Sequence, residues 1–241
     1  MAEEILGDIA AARPAAARVF EKYKIDYCCG GHRPLAEACS ERGISAEELL
    51  AEVEKTAPGE AAGQDWAKAS LAELILYIVR RHHGYLNSEL PILRERLAKV
   101  IAAHGGRHSE VLRPLESTFN ALKDELEMHL RKEEAMLFPA IEKLEAAEAA
   151  GRAPGLPPFG TVRNPIRMME WEHDSAGQAL RRMREITADY TPPADACATW
   201  RALYSGLEEL EKDLHAHIHL ENNILFPRAA EVETRIASGS R

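Results

Sequence analysis

The sequence predicts an all-α protein, a four-helix bundle preceded by a small helical domain. Three observations carry that expectation. Leu, Ala, Glu, Lys and Arg dominate, the mixture of a chain rich in long helices. Apolar residues recur in alternating steps of three and four over long segments, the period of an amphipathic helix. An eleven-residue stretch occurs twice, as HLRKEEAMLFP at 129–139 and HIHLENNILFP at 217–227, so the larger part reads as a duplicated helical hairpin.

Residues 1–56 form the small domain. Pro14 suits a helix start, and Val19, Phe20 and Tyr23 give the helix an apolar edge. In KIDYCCGGH, Gly30 and Gly31 are expected to stop that helix and to leave Cys28 and Cys29 in an exposed turn. Pro34 can begin another short helix, and Ser45 with Glu48 makes a capping box for the next. A linker spans 57–69, small, polar and Pro/Gly-bearing over most of its length.

The bundle covers 70–236. Ser70 and Glu73 form a second capping box, followed by Leu71, Leu74, Ile75, Ile78 and Val79 up to His82 and His83. Pro91 is expected to break or kink this helix and restart it towards His104. The second helix runs from about 109 to 149, with a seam of Leu115, Phe119, Leu122, Leu126, His129, Glu133 and Met136. Residues 150–164 connect the halves, and Asn164 with Pro165 reads as N-cap and first helical residue. The third helix aligns Ile166, Met169, His173, Ala176, Leu180, Met183 and Tyr190. After the turn at 191–193, the fourth aligns Trp200, Leu203, Leu207, Leu210, Leu214, His217 and Glu221. Beyond Arg235 the tail is expected to fray.

The chemistry lies in the repeat. Each copy holds a His-x-x-x-Glu pair, His129 with Glu133 and His217 with Glu221, and residues four apart share one helix face. His83 precedes His129 by 46 positions and His173 precedes His217 by 44, so each hairpin supplies one further imidazole. Carboxylates on an apolar seam are costly unless something pairs with them, and a metal ion supplies the opposite charge. Four His and two Glu exceed what one tetrahedral zinc needs. They suit two ions bridged by carboxylates, each with imidazoles from its own side, and the donor set favours iron, then manganese, over zinc or copper(I).

Period cannot decide between His82 and His83, because the first helix is apolar nearly all round. His215 and His219 point off the ligand face of a regular helix and read as surface histidines. Glu125 and Glu172 stand beside the ligand positions and are candidates for orienting ligands or handling protons. Cys28 and Cys29 could bind a soft metal, react as thiolates or pack in the turn, reactive thiols being favoured. Cys39 and Cys197 read as buried small residues.

The formal charge of −9 argues against a nucleic-acid or anionic-membrane surface. No apolar run approaches the roughly 20 residues that span a bilayer. MAEEILGDIA lacks the basic and apolar regions of a signal peptide. With no export signal, the four cysteines are expected to be reduced, in a soluble cytoplasmic protein.

With these residues in view, the chain resembles the repair-of-iron-centres family over nearly its whole length. DYCCGG at 26–31 is similar to the hallmark of that family's N-terminal domain. HHGYLNSELP at 82–91, EMHLRKEEAMLFP at 127–139, EHDSAG at 172–177 and HIHLENNILFPRA at 217–229 resemble its haemerythrin-like domain. The resemblance implies a centre of two non-haem iron ions, with His83, His129, His173 and His217 as terminal ligands and Glu133 and Glu221 as bridges. It favours His83 over His82, although His82, His215 and His219 crowd the pattern with extra imidazoles.

It also implies repair of iron-sulfur clusters damaged by nitric oxide or oxidants, through delivery of iron to damaged or apo iron-sulfur proteins. Cys28 and Cys29 would help in transfer or docking. Nitric oxide reduction at the centre, with Glu125 or Glu172 relaying protons, is one alternative. Oxygen binding or sensing is another, disfavoured by four histidines where oxygen-carrying haemerythrins have five. Association into a homodimer is left open.

Overall fold

The computed structural model describes residues 4–56, 65–152 and 158–239. The expected linker 57–69 therefore lies outside the described residues over 57–64, and the 150–164 connection over 153–157. The described residues contain no strand. In chain order the helices are α1 (Leu6–Ala12), α2 (Ala15–Lys22), α3 (Leu35–Arg42), α4 (Ala46–Lys55), α5 (Leu71–Ile78), α6 (Gly84–His104), α7 (Ser109–Lys132), α8 (Phe138–Ala149), α9 (Arg163–Ile186), α10 (Ala198–Leu220) and α11 (Phe226–Gly239). Single π-helical turns at Val79–His83, Glu133–Leu137 and Glu221–Leu225 join α5 to α6, α7 to α8 and α10 to α11. The described residues gather into two compact units.

One unit takes Met1–Ile78, Leu137–Arg167 and His215–Arg241. Its N-terminal helices close on a core that includes Leu6, Phe20, Tyr27, Leu35, Leu49 and Val53. Helix α2 ends earlier than the glycines suggest. Lys24 adopts a left-handed φ of 55° and Ile25 N donates to Phe20 O at 2.8 Å, the wrap that closes a helix C-terminus. Ser45 accepts from Glu48 N and caps α4, while Ser70 and Glu73 cap α5 reciprocally. Glu145 on α8 adds its carboxylate to the free Leu71 and Ala72 N–H groups at 2.7 and 3.0 Å, at the positive end of the α5 dipole. Arg228 on α11 donates to the carbonyls of Trp66 and Ala69. Helix α11 stays helical to Gly239, past the expected fraying point at Arg235.

The other unit takes Val79–Met136 and Met168–Leu214. Leu86, Leu93 and Leu97 of α6, Leu115, Phe119 and Leu122 of α7, Leu180 and Met183 of α9, and Trp200, Leu207 and Leu210 of α10 share one core. Four helices thus pack on one apolar centre, as the seams require. Pro91 lies inside α6 without ending it, which corrects the expected break. Helix α9 begins at Arg163, one residue before the expected cap Asn164.

The π-turns at 133–137 and 221–225 share a local sequence feature that favours them. Pro139 and Pro227 follow each turn by two residues. A proline lacks the N–H that an α-helix returns to the fourth residue back, and its ring clashes with that carbonyl. A wider turn just before it relieves both demands. The extra residue also shifts the seam. Met136, expected on the core face, is 48% exposed, and Leu137 is 1% exposed in its stead.

Candidate metal centre

Three π-turns carry or begin with candidate ligands: His83 ends the first, Glu133 opens the second and Glu221 opens the third. Single π-turns recur at functional sites because the added residue re-aims a side chain without breaking the helix. His83, His129, His173 and His217 are buried, and Glu133 and Glu221 are fully buried.

Hydrogen bonds fix how the imidazoles point. His129 Nδ1 meets Glu172 Oε2 at 2.8 Å, and Lys132 reaches the other oxygen of that carboxylate. The His129 imidazole, followed by Lys132, holds the Glu172 carboxyl down to about 2, so it is ionised and accepts a proton-bearing Nδ1. That leaves the Nε2 lone pair of His129 facing inward, 3.1 Å from His173 Nε2 and 3.3 Å from Glu133 Oε1. His83 repeats the scheme. Its Nδ1 meets Glu134 Oε1 at 2.7 Å and its Nε2 faces Glu133 Oε2 at 3.4 Å. His217 Nε2 lies 3.0 Å from Glu221 Oε1.

The candidate ligand atoms form two groups. Those of His83, Glu133, His217 and Glu221 all lie within 4.8 Å of one another, and those of His129, Glu133, His173 and Glu221 do likewise. Glu133 and Glu221 belong to both groups. Each group combines two imidazoles with two carboxylates, a donor set that fits a divalent first-row metal. Each group takes one imidazole from either half of the repeat. His82 stands outside both groups, with Nδ1 3.1 Å from Asp213 Oδ1.

Comparison with known proteins finds a cation-binding domain over the same part of the chain. The family model described as hemerythrin HHE cation binding domain matches residues 74–229, and a domain of unknown function named for the ScdA N-terminus matches residues 2–57. The iron-sulfur cluster repair protein YtfE of Pectobacterium carotovorum is 39% identical over 231 residues, covering 96% of this chain and 98% of that protein. YtfE of Escherichia coli O17:K52:H18 is 40% identical over 227 residues, covering 94% and 96%. The Shigella boydii YtfE shows the same values. This chain belongs to the YtfE family. Its haemerythrin-like domain is a metal-binding domain, and no helix among the described residues is long and apolar enough to cross a membrane.

Several residues behave differently from their sequence reading. Cys28 is 2% exposed, not displayed in an open turn, and its neighbour Cys29 together with burial pushes its thiol well above the ordinary range. Cys29 is half-buried and Cys39 buried, whereas Cys197, expected inside, is exposed. Of the two carboxylate candidates, Glu125 is exposed and accepts from Ser175 Oγ at 3.1 Å, on a solvated helix face. Glu172, its companion candidate, does touch a ligand.

His215 and His219 are not surface histidines. Tyr27 lies against both rings, with centroids 6.4 and 5.4 Å away. His219 is buried, which lowers its pKa to about 4, and its Nδ1 accepts from Asn223 Nδ2 at 2.9 Å. Asn223 Nδ2 also donates to Tyr27 O at 3.2 Å. A Cβ added at Gly7 or Gly31 would lie 2.4 or 2.6 Å from Asn223 Oδ1, so both glycines are needed for this close approach. The cysteine loop is thereby seated on the π-turn that begins with Glu221. Sequence reasoning missed Glu134, Asn223 and this seat. The signal available was the difference between the two repeats, where His219 and Asn223 replace Arg131 and Ala135.

Proposed function

We propose that this chain repairs damaged iron-sulfur clusters by donating iron carried at a carboxylate-bridged, two-metal centre. His83 and His217 would hold one ion, His129 and His173 the other, and Glu133 and Glu221 would bridge them. The observation that carries this reading is that both glutamates belong to both ligand groups. Relatives named for cluster repair cover nearly the whole chain. The organisation is a small domain at 1–56, a linker at 57–69 and the haemerythrin-like bundle at 70–236, in a cytoplasmic protein whose partners are damaged or apo iron-sulfur proteins.

In this scheme iron is cargo. Glu134 and Glu172 keep His83 and His129 in the tautomer that offers Nε2. Departure of iron leaves two fully buried carboxylates, which must take up protons or a replacement ion, because an uncompensated buried charge is very costly. Release is therefore coupled to uptake of protons or of a replacement ion at Glu133 and Glu221.

Metal analysis of anaerobically purified protein tests the reading. Two irons per chain are expected, fewer after Glu133→Ala or Glu221→Ala, with transfer to an apo iron-sulfur protein against a ferrous-chelator control. Zinc or no metal would overturn it. Two irons that never leave would shift the function to chemistry at the centre.

A further inference from the structure

Cys28 Sγ lies 3.9 Å from Cys29 Sγ and 3.3 Å from Asp26 Oδ1, and ligand atoms of all three residues fall within 4.8 Å of one another. With metal–sulfur bonds of about 2.3 Å and metal–oxygen bonds of about 2.1 Å at tetrahedral angles, two sulfurs would be about 3.8 Å apart and sulfur and oxygen about 3.6 Å. The side chains already stand near those separations. Adjacent cysteines are poorly placed to close on each other as a disulfide.

The loop is also built to hold this arrangement. The N–H groups of Cys28 and Gly30 donate to Asp26 Oδ1 at 3.2 and 3.0 Å, which fixes the carboxylate and offsets part of its charge. A Cβ at Gly30 would meet Asp26 O at 2.9 Å, so Gly30 makes room for the turn. Asn223 holds the preceding residue, Tyr27, by its carbonyl.

We propose that Asp26, Cys28 and Cys29 form a third metal site, distinct from the bundle centre, that takes a soft divalent cation. Two thiolates and one carboxylate supply three of four tetrahedral positions and leave the fourth for water or an incoming ligand. Binding exchanges two thiol protons for one metal ion, and no oxidant or reductant is required. Thiolate donors select borderline and soft ions, ferrous iron and zinc among them, over magnesium or calcium. Its use as an exit station for iron rests on the repair reading, whereas the site itself does not.

Cobalt(II) is the probe. Reduced, metal-free protein titrated anaerobically should develop a near-ultraviolet thiolate-to-cobalt absorption, and with the bundle centre disabled that absorption should saturate at one ion per chain. The absorption should persist in Glu133→Ala/Glu221→Ala protein, where the bundle centre is disabled, and vanish in Cys28→Ser/Cys29→Ser protein. Asp26→Asn should weaken the site at least tenfold.

Because Cys28 is buried and its replacement could unsettle the fold, the unaltered chain supplies a second measurement. Cobalt or zinc should slow alkylation of Cys28 and Cys29 tenfold or more, reversibly with chelator, while exposed Cys197 reacts at an unchanged rate. An absent thiolate band, a band that survives in the double serine variant, or unprotected thiols would each overturn the proposal. Loss of iron binding in the bundle with the thiolate band intact would sink the repair reading alone.

Discussion

Replacing Glu172 by Gln keeps the shape of the side chain and removes its charge, so it isolates what the carboxylate does for His129. The depression of Glu172 from 4.5 to about 2 corresponds to roughly 3.4 kcal/mol of preference for the ionised form. That preference is shared between His129 and Lys132, and solvent screens this half-buried group, which leaves about 1–2 kcal/mol for the contact with His129. A loss of that size weakens ligation about 5- to 30-fold, within the roughly 10- to 100-fold range of comparable supporting contacts. The assay is anaerobic competition for ferrous iron against a chromophoric chelator, with Glu125→Gln as control because Glu125 only meets Ser175 at the surface. Affinity within about twofold of the unaltered protein would refute the assignment of Glu172 as the group that orients His129.

Three further outcomes follow. His219 titrates in the folded protein near 4 against an ordinary 6.5. Its neutral form therefore contributes fully above pH 6.5, and that contribution is lost as pH falls towards 4. Urea melts of metal-free protein should show the decline, at most about 3 kcal/mol, and His219→Gln should flatten it. Asn223→Ala removes the donor to Tyr27 O and His219, so alkylation of Cys28 should accelerate several-fold while helical circular dichroism is unchanged. Leu137→Ala should cost about 2–5 kcal/mol in denaturant melts, whereas Met136→Lys should stay within about 0.5 kcal/mol. Comparable costs would argue against the π-turn.

The all-α class and the seams were legible because burial imposes a period that the sequence must keep. On α9 every expected seam residue from Ile166 to Met183 is buried, and along α10 into the π-turn after it the seam runs unbroken from Trp200 to Glu221. Legibility failed where the period itself changes. Met136 extends an ideal α-helical stripe, but the π-turn rotates the chain so that Leu137 faces inward, and Glu134 on that turn meets His83. It failed again where the partner is distant in sequence. Nothing local to HIHLENN shows that Tyr27, nearly two hundred positions earlier, covers His215 and His219. The end of α2 was misread because Lys24 takes the left-handed turn that glycine usually supplies.

The two repeats share ligands but not neighbours, and this bears on rearranged versions of the chain. The first copy spends the position after its glutamate on Glu134, facing His83, whereas the second devotes His219 and Asn223 to seating the cysteine loop. A symmetric protein assembled from two first copies would keep every His and Glu of the ligand pattern yet offer that loop no berth. Grafting Arg131→His with Ala135→Asn into the first copy would lay out a duplicate berth with no tenant. The candidate metal-binding residues belong to what the halves have in common, and the attachment of the thiols belongs to where they diverged.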